Sequence, residues 1–154
     1  GGPGDDELSG DLGRNTFFGG PGRDGIAGSE EADVIFGGPG DDLIGGLGGG
    51  DLIFGEDGHD YVEAGSGDNV FFGGAGDDYV SALDGDDLLV GGLGRDRLGA
   101  RFGDDRLFGG PDDDALLVAT GSAAVLDGGD GQDRCYSGST QVDCWPRPAT
   151  TEGD

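Results

Sequence analysis

A nine-residue period runs through this chain and decides what it can fold into. Residues 1–117 divide into thirteen nonapeptides without an insertion. Their sixth position reads Asp6, Asn15, Asp24, Asp33, Asp42, Asp51, Asp60, Asn69, Asp78, Asp87, Asp96, Asp105 and Asp114, an acid or its amide every time. The eighth position is apolar throughout, from Leu8 and Phe17 to Leu107 and Leu116, and Val125 continues it in a weaker fourteenth unit. Gly fills the fourth position in eleven of the thirteen units, Glu31 and Asp112 being the exceptions, as a turn with positive φ requires. A flexible Gly-rich linker would not hold an apolar residue at one phase over such a length, so the repeat predicts a stacked array of turns and short strands.

The side chains also carry a doubled period. Position nine of the even-numbered units is Phe18, Phe36, Phe54, Phe72, Val90 and Phe108, whereas the odd-numbered units place Ser9, Ala27, Gly45, Glu63, Ser81, Gly99 and Leu117 there. Two units therefore form one coil of 18 residues, and residues 1–126 make seven coils. Alternation along a strand points position eight inward and positions seven and nine outward. With strands about 4.8 Å apart, the stack is roughly 30–35 Å long. Its interior is thin, too thin to offset the ordering of the chain by itself, so the metal-free chain is expected to be largely unfolded.

The stretches GGPGDDELS from Gly1, GGPGDDLIG from Gly37 and GGAGDDYVS from Gly73 match the unit GGxGxDxUx at every fixed position. In this the chain resembles the repeats-in-toxin (RTX) family of hemolysin-type calcium-binding repeats. The resemblance implies an all-β fold, a right-handed parallel β-roll (a β-helix or solenoid) with two short-stranded parallel sheets and about seven to eight coils of 18 residues. It implies a turn at each GGxGxD, a strand at each xUx, and a calcium ion between consecutive turns on one edge, sharing the Asp of both.

Stacked coils set the sixth-position carboxylates in two columns about one strand spacing apart, where neighbouring charges repel by roughly 1–3 kcal/mol per pair. The first column, Asp6, Asp24, Asp42, Asp60, Asp78, Asp96 and Asp114, is unbroken; the second, Asn15, Asp33, Asp51, Asn69, Asp87 and Asp105, is weakened at its two Asn and ends at Ala123. One Ca2+ between each pair of neighbours gives about 11 ions, whose charge of roughly +22 nearly cancels the formal −25 of 33 acids against eight Arg. Acids at position five, such as Asp5, Asp41 and Asp86, read as a solvated face. So acidic a chain lacks the basic footprint of a nucleic-acid binder, and no apolar run approaches the roughly 18 residues of a membrane-spanning helix; neither nucleic acid nor membrane insertion is expected.

Residues 1–136 are expected to form the roll, 137–145 a cap and 146–154 a tail or linker. After residue 126 the count places one extra residue, Asp127, and GGDGQDRCY then forms a last unit with Cys135 at its core position. Cys144 follows nine residues later, where the next core residue would face it across the interior, so a disulfide closing the end is predicted. A disulfide fits an oxidising, extracellular setting, and a secreted protein is expected.

The even strands turn apolar side chains outward as well: Phe18, Val34, Phe36, Leu52, Phe54, Val70, Phe72, Leu88, Val90 and Phe108. A contiguous patch of that kind marks a contact surface, and self-association into a dimer or filament is the leading expectation. A fold-back of the tail around Trp145 is the competing one. No enzyme is expected: the only His, His59, sits at a variable turn position, Lys is absent, and no nucleophile-and-base pair is recognisable. The resulting reading is a secreted calcium-binding roll with a structural, self-assembling role. The alternative is a calcium-dependent carbohydrate-binding or adhesion module of a larger secreted enzyme or adhesin, meeting a polysaccharide or cell surface through Arg95, Arg97, Arg101 and Arg106.

Overall fold

In the computed structural model, residues 1–119 and 124–144 are described. The described chain is built of strands and turns, without a helix, and divides into two parallel sheets. One sheet collects the strands of the odd units: β1 (Glu7–Ser9), β3 (Gly25–Ser29), β5 (Leu43–Leu47), β7 (Tyr61–Gly65), β9 (Tyr79–Ala82), β11 (Arg97–Ala100), β13 (Ala115–Val118) and β15 (Arg134–Ser137), with β16 (Thr140–Val142) added at its end. The other takes the even units: β2 (Thr16–Phe18), β4 (Val34–Phe36), β6 (Leu52–Asp57), β8 (Val70–Ala75), β10 (Leu88–Leu93), β12 (Arg106–Pro111) and β14 (Val125–Asp130). Up to residue 118 the strands pair residues 18 positions apart, as Leu8 with Ile26 and Ile35 with Ile53, with one bulge that sets Gly65 opposite Ala82. This is the β-roll of 18-residue coils that the repeat predicts.

Period-two alternation makes the core. Ile26, Ile35, Ile44, Ile53, Val62, Phe71, Val80, Leu89, Leu98, Leu107 and Leu116 are all at most 3% exposed, one from each strand in turn. They form a double file between the sheets, joined by Ala64, Ala82 and Ala100 towards the ends of β7, β9 and β11. The turns close because glycine permits what other residues resist. Gly40, at φ 139°, lies so close to the Gly22 carbonyl of the preceding coil that a Cβ would collide with it. Leu47, Glu56 and Asp112 adopt positive φ in turn positions that Gly fills elsewhere, at 75°, 79° and 84°.

The C-terminal end departs from the expectation in three ways. Val118 still pairs with Ala100, 18 residues back, whereas Leu126 pairs with Leu107, 19 back. The extra residue therefore lies between 119 and 125, not at Asp127. Leu126 takes the core position, Val125 turns outward at 49% exposure, and Ala124 rather than Ala123 follows the second column; Ala123 itself lies outside the described residues. Nine-residue counting failed because a one-residue insertion leaves no mark on an Ala-rich stretch. Cys135 and Cys144 are disulfide-bonded, with Cα atoms 5.4 Å apart. Yet Cys144 does not continue into the opposite sheet: the chain reverses at Gly138, φ 60°, and β16 returns antiparallel along β15. The predicted tail, 146–154, and Trp145 lie outside the described residues.

Candidate metal centre along the edges

Every turn delivers its sixth residue to the point where the chain enters a strand, directly below the same residue of the next coil. The side chains are thereby locked into a ladder. The backbone N–H of Asp24 donates to Oδ1 of Asp42 at 2.7 Å, that of Asp42 to Asp60 at 2.9 Å, that of Asp60 to Asp78 at 2.9 Å and that of Asp78 to Asp96 at 2.8 Å. The second edge repeats this from Asn15 to Asp33, Asp33 to Asp51, Asp51 to Asn69, Asn69 to Asp87 and Asp87 to Asp105, at 2.6–3.1 Å. Of the predicted column residues, only Asp6 and Asn15 at the N-terminal end are partly exposed; the rest are at most 2% exposed.

One oxygen of each carboxylate is thus accounted for and the other is not. Oδ2 of Asp24, Asp42, Asp51, Asp60, Asp78, Asp87, Asp96, Asp105 and Asp114 is buried and accepts no hydrogen bond. A buried carboxylate oxygen without a donor is costly, and here the acids recur coil after coil with the same sign. Burial is the main reason their pKa values rise from the usual 3.8, to about 7 for Asp60 and Asp96 and about 6 for Asp42, Asp51, Asp78, Asp87 and Asp114, neighbouring carboxylates adding to it and the ladder hydrogen bond opposing it. Protons or cations must hold such columns together.

The donor set fits a hard cation. Among the described residues no three His, Cys, Asp or Glu side chains converge on one point. An ion here must therefore complete two carboxylates with backbone carbonyls, the all-oxygen, flexible mixture that Ca2+ accepts and softer metals do not favour. Composition preserves the space beside the free oxygens of the first edge. On the first edge the residue five positions before each Asp is Gly, and a Cβ on Gly37, Gly55, Gly73 or Gly91 would strike Oδ2 of Asp42, Asp60, Asp78 or Asp96.

One further member of the inner ladder, and a second ladder outside it, do not follow from the nine-residue count. Asp133 accepts from Asp114 N–H at 3.0 Å and extends the first column; its shift to 19-residue spacing hid it, although GGDGQD carried the signal. The position-five acids, read as merely solvated, form an outer ladder running the other way. Arg23 N–H donates to Asp5 Oδ1, His59 N–H to Asp41 Oδ1, and Arg95 N–H to Asp77 Oδ1, each at 2.9 Å. His59 belongs to this ladder, its Nδ1 accepting from Asp77 N–H at 2.7 Å.

On the outer faces, Phe18, Phe36, Phe54 and Phe72 stack in one file with centroids 5.0, 4.9 and 5.5 Å apart. Stacking covers much of each ring: Val34, Phe36, Leu52, Phe54, Val70, Leu88, Val90 and Phe108 are half-buried, while Phe18 is 61% and Phe72 38% exposed. Asp127 pairs with Phe108 and ends the stripe. Of the Arg cluster, Arg95 is engaged with Asp77 in an exposed ion pair at 3.3 Å.

A search of curated proteins finds no match to the chain. The family model for the RTX calcium-binding nonapeptide repeat (4 copies) matches it in overlapping stretches, among them residues 1–35, 36–71, 54–89, 90–123 and 116–140. Matched from its first residue to residue 140, with the sixth-position carboxylates of that repeat stacked along both edges, the chain belongs to the RTX calcium-binding repeat family.

Proposed function

We propose that this chain is a secreted, calcium-loaded β-roll whose folding is driven by the ion and whose Phe-bearing sheet serves as a contact between copies. The observation that carries the calcium reading is the set of nine buried carboxylate oxygens without a donor, recurring coil after coil along both edges. Asp24, Asp42, Asp60, Asp78, Asp96 and Asp114 would hold ions on the first edge with Asp6 and Asp133 at its ends, and Asp33, Asp51, Asp87 and Asp105 supply the second. Bound calcium would neutralise the columns and tie consecutive turns together. The role is structural rather than catalytic, and the disulfide suits an extracellular setting rich in calcium. Self-association rests on the continuous file of Phe rings, in which Phe18 and Phe72 remain exposed.

Equilibrium dialysis against calcium, paired with light scattering, tests both halves. Several ions bound per chain and a mass above that of one chain are expected. Phe54→Asp with Phe72→Asp should leave ion binding intact and return the mass to a monomer; an assembly that survives both changes rules out the stripe as the contact. A second reading, binding of an acidic polysaccharide, is favoured by one feature: a shallow trough on the odd sheet lined by Tyr79, Arg97, Ala115, Leu117 and Tyr136. Retention on a uronate polymer that is lost with Arg97→Ala would support it.

A further inference from the structure

The two Asn of the second column do more than omit a charge. Nδ2 of Asn69 donates to the carbonyls of Gly67 and Gly65, at 2.7 and 3.4 Å, and to Oδ1 of Asp87 at 3.1 Å. Nδ2 of Asn15 does the same with Gly13 at 2.6 Å, Asp11 at 3.2 Å and Oδ1 of Asp33 at 3.2 Å. In both turns the positive end of one carboxamide gathers the carbonyls two and four residues back together with the carboxylate of the next coil. At the equivalent atom of nine Asp residues, Oδ2 meets no donor at all. The amide oxygen meanwhile keeps the ladder, accepting from Asp51 N–H at 3.0 Å. Next to Asn15, the free oxygen of Asp33 is also occupied, by Ser29 N–H at 2.8 Å and within 3.1 Å of the Ser29 hydroxyl.

We propose that the Asn15 and Asn69 carboxamides are built-in substitutes for a cation, so that these two rungs hold together without calcium and interrupt the second column. This rests on the calcium reading above. It makes the roll asymmetric: the first edge is a continuous run of ion sites from Asp6 to Asp133, and the second is pinned by protein at two levels and takes ions only away from them, between Asp33 and Asp51 and between Asp87 and Asp105. Fewer ions than the 11 or so implied by counting neighbours would then saturate the chain.

Anomalous scattering from crystals of the calcium-loaded chain tests this directly. Peaks are expected between consecutive carboxylates of the first edge and none in contact with Asn15 or Asn69; a calcium bonded to Asn69 Oδ1 and the Gly65 and Gly67 carbonyls overturns the proposal. No calcium on either edge would instead overturn the calcium reading itself. Native mass spectrometry supplies the second arm. Asn69→Asp with Ala64→Gly, which gives that rung the composition of the first edge, should bind one ion more than the parent chain, and Asp60→Asn one fewer. Unchanged counts in both variants would refute the assignment.

Discussion

Raising the pH should unfold the metal-free protein, and the structure says over what range. In the folded chain Asp60 and Asp96 titrate at about 7 and Asp42, Asp51, Asp78, Asp87 and Asp114 at about 6, against 3.8 ordinarily. Between these limits the folded state holds more protons than the unfolded one, so stability is full below about pH 4 and falls as pH rises towards 7. For Asp42, moving from 3.8 to about 6 corresponds to roughly 3 kcal/mol. The neighbouring acids titrate as a coupled column rather than singly. A domain of this size has only about 5–15 kcal/mol in hand, so ionising two to four such groups suffices to unfold it. Far-ultraviolet circular dichroism of chelated, dialysed protein from pH 4 to 8, with light scattering to exclude precipitation near the pI of 4.1, should show β structure at pH 4 and its loss by pH 7. Metal-free protein equally folded at both ends, or better folded at pH 7, would refute the argument that burial and mutual repulsion of these carboxylates control the fold.

Other perturbations separate the contributions in the calcium-loaded protein. Ile53→Ala, at a fully buried position in the middle of the stack, should cost about 2–4 kcal/mol, read as a lowered urea midpoint. Leu47→Gly or Glu56→Gly relieves a residue held at positive φ and should stabilise by about 1 kcal/mol, measured the same way. Cys135→Ser with Cys144→Ser opens a nine-residue loop; the loss should be about 2–3 kcal/mol at most, and hydrogen exchange should locate it in the last coil, with the middle coils unchanged.

The architecture was legible because a strict period leaves few ways to stack. Position eight from Phe17 to Leu116 reads as core in the sequence and is core in the fold, and the alternating Phe and small residues at position nine announce two different sheets. The second column was legible only in part. A residue letter distinguishes Asn from Asp but not what Nδ2 of Asn69 will grip, since that depends on carbonyls brought in by the turn. Position five misled for a related reason: exposure and hydrogen bonding are not opposites, and Asp41 is both solvated and bonded to His59 N–H. Counting by nines failed between residues 119 and 125, where register is set by pairing of Leu107 with Leu126 rather than by composition, and with it went Asp133 and the placement of Val125. The hairpin that carries Cys144 back along β15 left only Gly138 as a mark in the sequence.

The central claim is that calcium supplies what these carboxylates lack. The most direct test is a calcium titration of the metal-free chain at pH 7, followed by far-ultraviolet circular dichroism, with magnesium as the control ion. The account predicts little structure at the start, a cooperative gain of β signal as calcium is added, and no comparable gain with magnesium, which demands a stricter octahedral shell. Full β structure in the metal-free protein at pH 7, unchanged by calcium, would contradict it.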